Sequence, residues 1–113
     1  MEGSALEGLV AQHLRSWTKN QKEKHSLSFW HTATKLEVDF VIYGPRGFWA
    51  IEVKRSANLS PDDIKGLLAF QEEYPEAKCL IVNMGKRQEN YRGFPVMPIG
   101  DFLLQLSPGN PVF

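Results

Sequence analysis

The sequence predicts an α/β protein, with a mixed central sheet flanked by helices in the order helix, strand, strand, strand, helix, strand. Three observations carry this expectation. Two amphipathic helical stretches bracket three consecutive strand-like segments. The second helix is followed by "AKCLIVNM", a continuous apolar run of strand length, typical of a strand buried on both faces. The passage from "AIEVK" through that helix to "CLIVN" is a strand–helix–strand unit, which makes a right-handed parallel crossover.

The elements follow in order. Ser4-Ala5-Leu6-Glu7 matches a capping box, with Ser4 as N-cap and Glu7 at N3. Leu6, Leu9, Val10, Leu14 and Trp17 then recur at helical spacing, and the helix fades near Asn20. "LSFWHTA" reads as the first strand, with a turn near Thr34-Lys35. "LEVDFVIYG" is the second strand and "GFWAIEVKRS" the third, joined through Gly44-Pro45-Arg46-Gly47. Ser60, Pro61 and Asp63 mark the start of a second helix, and Pro75 stops it after Tyr74. "GKRQENYRGFP" reads as a polar loop, "VMPI" as a short strand, "GDFLLQL" as a closing helix and "SPGNPVF" as an irregular tail. A chain of 113 residues is enough for one core and too short for two, so residues 1–113 are expected to form a single domain.

Composition narrows the function classes. No apolar run approaches the roughly 20 residues of a membrane helix, and the N-terminus lacks the pattern of a signal peptide. The lone Cys79 cannot form an internal disulfide or build a zinc site alone; it is expected in the core of a protein from a reducing compartment, the cytoplasm. The formal net charge of zero argues against a strong non-specific nucleic-acid binder. The charges are nonetheless segregated: Arg15, Lys19, Lys22 and Lys24 early, Lys86, Arg87 and Arg92 late, with Asp62, Asp63, Glu72 and Glu73 between. A basic face on a neutral protein and a mixed solvated surface are both compatible with this distribution.

The carboxylates give the sharpest signal. Alternation puts Trp49, Ile51 and Val53 on one face of the third strand, and Glu52 and Lys54 on the other. On the second strand, Glu37, Asp39, Val41 and Tyr43 are expected to share a face opposite Val38, Phe40 and Ile42. A two- or four-residue connection sets Tyr43 opposite Phe48 and Val41 opposite Ala50. The same register sets Asp39 opposite Glu52 and Glu37 opposite Lys54. Facing like charges are destabilising. Mg²⁺ or a similar hard cation would relieve them, and Lys54 would then hold a water or steady a phosphate. A surface ladder of ion pairs from Glu37 and Asp39 to Lys54 is the competing reading. Glu7, at the edge of the first helix's apolar stripe, is either a capping glutamate or a further metal ligand. Gln71 falls within the stripe of Ile64, Leu67, Leu68 and Tyr74; as a buried amide it needs a partner, near the active face or at the helix end. His13, His25 and His31 show no metal-binding spacing, and the chain carries no P-loop motif.

Glu7, Asp39 and Glu52-Val53-Lys54, with the last group thirteen residues after the aspartate, together resemble the PD-(D/E)XK nuclease superfamily. Val38 stands where the superfamily's name has proline. More narrowly, "LEGLVAQHL", "FWHTATKLEVDFVI", "WAIEVKRSANLSPDDIKGLLAFQEEYPEAKCLIV" and "MPIGDFLLQL" resemble a domain of unknown function that usually follows an AAA-type ATPase in bacterial and archaeal proteins. The resemblance implies a restriction endonuclease-like fold. It implies Asp39 and Glu52 as ligands of Mg²⁺ or Mn²⁺, the Val53 carbonyl as a third, Glu7 as the helical glutamate, and Lys54 as the water-positioning residue. It further implies DNA as substrate and an AAA-type ATPase as partner in cis or in trans. A catalytically silent nuclease-fold module that binds nucleic acid or a partner is the alternative. Single-domain members of the superfamily often work as dimers; Phe40, Phe48, Trp49 and the apolar tail "PVF" ending at Phe113 either form such an interface or cover the core of a monomer.

Overall fold

The computed structural model describes residues 3–113. Its elements are α1 (Gly3–Lys19), β1 (Ser26–His31), β2 (Glu37–Gly44), β3 (Gly47–Val53), a single 3₁₀ turn (Pro61–Ile64) running into α2 (Lys65–Glu73), β4 (Lys78–Asn83), β5 (Glu89–Tyr91), β6 (Phe94–Pro98) and α3 (Ile99–Gln105). The α/β class and the expected order of elements through β4 are borne out.

All six strands join one sheet in the order β1-β2-β3-β4-β6-β5. β1, β2 and β3 form an antiparallel meander, while β3, β4 and β6 run parallel. Pro45-Arg46 makes the two-residue turn of the β2–β3 hairpin, with Gly44 opposite Gly47, Tyr43 opposite Phe48 and Val41 opposite Ala50, as the register argument requires. The crossover from β3 through α2 supplies the parallel neighbour β4.

Each sheet face is covered by its own apolar layer. On one, Leu6, Val10, Leu14 and Trp17 of α1 and Phe102 of α3 pack on Ile42, Trp49, Ile51, Val53, Leu80 and Val82. On the other, Ile64, Leu67 and Phe70 pack on Val38, Val41, Ala50, Ile81 and Val96. Cys79 is a free, buried thiol in that second layer. Burial pushes its pKa up to about 11, as expected of an inert packing residue.

Several expectations are corrected. The polar loop after β4 contains β5, which pairs with β6 through an Arg92-Gly93 turn. Both turn residues have positive φ, 50° and 94°, so this is a tight hairpin of the kind glycine favours. Ser4 does not cap α1, because Gly3 is already helical. Val38, Phe40 and Ile42 do not share a face: Val38 lies in the α2 layer, while Ile42 and Phe40 belong to the α1 layer. The cause is a bulge in β2. Ser28 pairs with Val41 and Trp30 with Val38, so three steps along β2 match two along β1. Phe40, Phe48 and Phe113 are half-buried against the two layers and Trp49 is buried, so all four named aromatics cover the core. The exposed aromatics are instead Phe29 and Tyr43.

Candidate active site

The bulge falls at Asp39 and Phe40, where β2 parts from β3. The last β2–β3 pair is Phe40 with Ile51. Beyond it, side chains replace the main-chain ladder. The Val53 N–H donates to Asp39 Oδ2 at 2.7 Å, and the Asp39 N–H donates to Glu52 Oε1 at 3.3 Å. The Lys54 N–H donates to the Val82 carbonyl at 2.9 Å. Main-chain groups alternate sides along a strand, so those of Lys54 face β4 and those of Val53, carbonyl included, face the opened end of β2.

Three elements bring their acids to this opening. Glu52 follows Ala50 in the alternation of β3 and is buried, with 4% of its surface exposed. Asp39, half-buried, stands at the bulge. Glu7 projects from α1, exposed, one residue after the buried Leu6. Because Ser4 is not the helix cap, Glu7 is not held in a capping box, and its carboxyl instead shares a hydrogen bond with the Asp39 side chain. That bond, then partial burial and the charges of Asp39 and Glu37, push Glu7 up to about 7 from 4.5, against an opposing pull from Lys54. Burial, then the hydrogen bond and charge of Asp39, push Glu52 up to about 9; Lys54 and the Asp39 N–H oppose this. Lys54 is half-buried and close enough to act electrostatically on both glutamates.

Glu7, Asp39, Glu52, Val53 and Lys54 are therefore gathered at one place, the end of the sheet where the parallel strands finish. Gln71 is not among them. It is exposed on α2 and lines a surface hollow with Lys78, Cys79 and Phe94, at the start of β4 and β6 and thus the far end of the sheet. Two residues that the sequence did not single out as site residues belong to the neighbourhood. Glu37 adds its negative charge to Glu7. Asn83, 1% exposed, closes β4 and bonds two loops: its Nδ2 donates to the Ser56 carbonyl at 3.2 Å, and its Oδ1 accepts the Gly85 N–H at 3.1 Å. The signal for Asn83 was a lone polar residue ending an apolar strand just before a glycine.

Among the described residues, no group of three or more His, Cys, Asp or Glu side chains is arranged to hold a metal ion. The donor set at the opening is nonetheless hard and oxygen-based: two facing carboxylates, a glutamate beside them and the Val53 carbonyl on the same side. That is the chemistry Mg²⁺ and Mn²⁺ accept, with waters filling the remaining positions. His13 and His31 are exposed and His25 is buried against Trp17. His25 lies in the connection between α1 and β1 and ties it down: its Nε2 accepts the Arg46 N–H of the hairpin turn at 3.2 Å and its Nδ1 bonds the Glu23 carbonyl at 2.9 Å.

Fold and site define a mixed α/β protein with a Glu–Asp–Glu–Lys cluster at the open end of its sheet. The model of the family described as a domain of unknown function (DUF4143) matches residues 2–102, and the chain belongs to that family. No curated protein matches the chain. Among the described residues, no helix is long and apolar enough to cross a membrane.

Proposed function

We propose that this protein is a metal-dependent DNA nuclease of the PD-(D/E)XK type, hydrolysing phosphodiester bonds. The observation that carries the reading is the pair of bonds that brings the acids together: the Asp39 carboxylate accepts the Val53 N–H and the Glu52 carboxylate accepts the Asp39 N–H, with Lys54 beside them and Glu7 closing the cluster from α1. Such a cluster of like charges raises the pKa of its own members, and a divalent cation relieves that repulsion. Asp39, Glu52 and the Val53 carbonyl would hold Mg²⁺ or Mn²⁺, with Glu7 reaching it directly or through water. The bound ion would supply Lewis-acid polarisation of a phosphoryl oxygen and a lowered pKa for water.

The chain's own groups do the rest. Lys54 orients the attacking water and steadies the negative charge that grows on the phosphate. Asp39 is pinned through Oδ2 by the Val53 N–H, so Oδ1 would be the oxygen offered to the ion. The water oxygen forms the new bond to phosphorus, the bond to the departing sugar oxygen breaks, and the proton released from the water ends on that oxygen. The cytoplasm, and an AAA-type ATPase in cis or in trans, fit the same reading through the resemblance of the sequence.

A second reading is a silent nuclease-fold module that binds nucleic acid or a partner. The high pKa of Glu52 favours it, since a protonated glutamate is a poor metal ligand. One experiment separates the two. Supercoiled, single-stranded and branched DNA are incubated with the protein in Mg²⁺ or Mn²⁺. Cleavage that disappears in Asp39→Ala and Lys54→Ala supports the nuclease; cleavage undiminished in either variant places the activity elsewhere and overturns it.

A further inference from the structure

We infer that the β3–α2 loop and the β4–β5 loop, tied together by the buried Asn83 amide, form a grip for the phosphate backbone of a nucleic-acid strand beside the acidic cluster. This rests on the nuclease reading for its purpose, but on separate residues for its chemistry.

The placement follows from topology. β3 and β4 are parallel neighbours, with Val53 opposite Val82. The residues just beyond them, Lys54-Arg55 and Met84-Gly85-Lys86-Arg87, therefore leave the sheet side by side at the end where Asp39 and Glu52 lie. In open α/β sheets this carboxyl end of parallel strands is where ligands bind. The two loops are not independent. Asn83 donates to the Ser56 carbonyl in one and accepts from the Gly85 N–H in the other. A buried amide with both ends engaged holds its partners in place. The first loop is also tied within itself: the Ser56 hydroxyl donates to the Asn58 carbonyl at 2.7 Å and accepts the Asn58 N–H at 3.0 Å.

The charges presented by these loops suit a polyanion. Arg55 and Lys86 are exposed and enter no ion pair among the described residues. Arg87 touches Glu89 at 3.5 Å, a pair exposed on both sides and so held weakly. The other charged pair nearby, Lys65 with Asp62 at 2.8 Å, neutralises itself. Asp63 is spent on the Ser60 N–H at the helix start. Arg55, Lys86 and Arg87 thus remain to meet phosphate oxygens, and Met84, 45% exposed between the loops, offers an apolar surface to a base or sugar. The grip also explains how a protein of zero net charge handles a polyanion. Three cations, Arg55, Lys86 and the weakly paired Arg87, stand at the rim where the acidic cluster would otherwise repel the strand.

The test measures binding of fluorescein-labelled DNA and RNA strands of the same sequence, and of the DNA duplex, by anisotropy in EDTA, where no cleavage occurs. The triple variant Arg55→Ala/Lys86→Ala/Arg87→Ala should weaken binding tenfold or more. It should also flatten the dependence of log K on log salt, by about 0.7 to 0.9 for each phosphate that is no longer neutralised. Its melting temperature should stay unchanged, because all three side chains are exposed. Asn83→Ser, which shortens the tie, should weaken binding with less change in salt slope, since every cation remains. The control Arg15→Ala/Lys19→Ala lies on α1 roughly 12–18 Å along the helix from Glu7 and should bind as the parent does. Equal weakening in the control and the triple variant, parent-like binding by the triple variant, or no binding by the parent would each overturn the grip. None of these outcomes bears on the metal cluster, which the Asp39→Ala and Lys54→Ala cleavage assay judges separately. Tighter binding of RNA than DNA supports the grip and redirects the choice of substrate.

Discussion

The Asp39 carboxylate accepts the Val53 N–H at 2.7 Å, one step past the point where the β2–β3 ladder stops at Phe40 and Ile51. A side chain thus stands in for a main-chain acceptor, and the bulge that makes this possible also opens the sheet between Asp39 and Glu52. Two acids held side by side, one of them buried, are an arrangement that stability alone does not favour.

Replacing Asp39 separates its two roles. Asp39→Asn keeps an oxygen for the Val53 N–H and removes the charge that pushes Glu7 and Glu52 up. The apo protein should therefore be as stable as the parent or more so at pH 8, by urea titration, while losing cleavage. Asp39→Ala leaves the Val53 N–H without its acceptor and should cost about 1–3 kcal/mol. A large loss of stability in Asp39→Asn would show that the charge itself holds the strands together.

The Glu52 carboxyl makes the stability of the metal-free protein depend on pH with a definite sign. Its folded pKa, about 9, lies above the unfolded value of 4.5, so the folded state holds a proton that the unfolded chain releases. The contribution is complete below 4.5, declines as pH rises, and is lost through pH 9. Glu7, raised to about 7, acts in the same direction. Glu52→Gln mimics the protonated form, so its advantage over the parent should grow from pH 5 to pH 9 and reach the order of a few kcal/mol. Parallel curves for parent and variant would show that Glu52 is ionised throughout.

Divalent cation should act against that trend. Mg²⁺ needs the ionised carboxylate, so its binding releases protons and tightens as pH rises. Saturating Mg²⁺ should raise the melting temperature more at pH 8 than at pH 6. At a hundred times its Kd the stabilisation is about 2.7 kcal/mol. An equal rise in Asp39→Ala would place the ion at another site.

Much of this geometry was legible in the sequence. The strand run, the crossover and the hairpin register follow from turn residues and apolar runs, and they sufficed to bring Asp39 to Glu52, although the paired ladder stops one residue short, at Phe40 and Ile51. The bulge was hidden, because "EVDFVI" alternates acceptably with or without an extra residue, and only pairing with β1 decides. Gln71 was misplaced because the stripe was drawn through Leu68 instead of Phe70. Ile64, Leu67 and Phe70 are the buried positions, so the apolar face is centred on them and Leu68 and Gln71 turn outward. β5 was missed because three polar-to-aromatic residues on a sheet edge carry almost no burial signal.

Gly66 links α2 to the site. A Cβ at Gly66 would lie well inside contact distance of the Glu37 carbonyl oxygen, so α2 rests directly on the backbone where β2 begins. Gly66→Ala gains helix propensity, about 1 kcal/mol. Against this stands a collision with a main-chain carbonyl that cannot rotate away, and overpacking of this kind costs about 1–3 kcal/mol. The collision should win, lowering thermal stability. It should also displace Glu37 two residues before Asp39, and so reduce cleavage beyond what reduced stability explains when assayed well below the melting temperature. A Gly66→Ala protein as stable as the parent, with full activity, would show that α2 can lift from β2 without disturbing the opening.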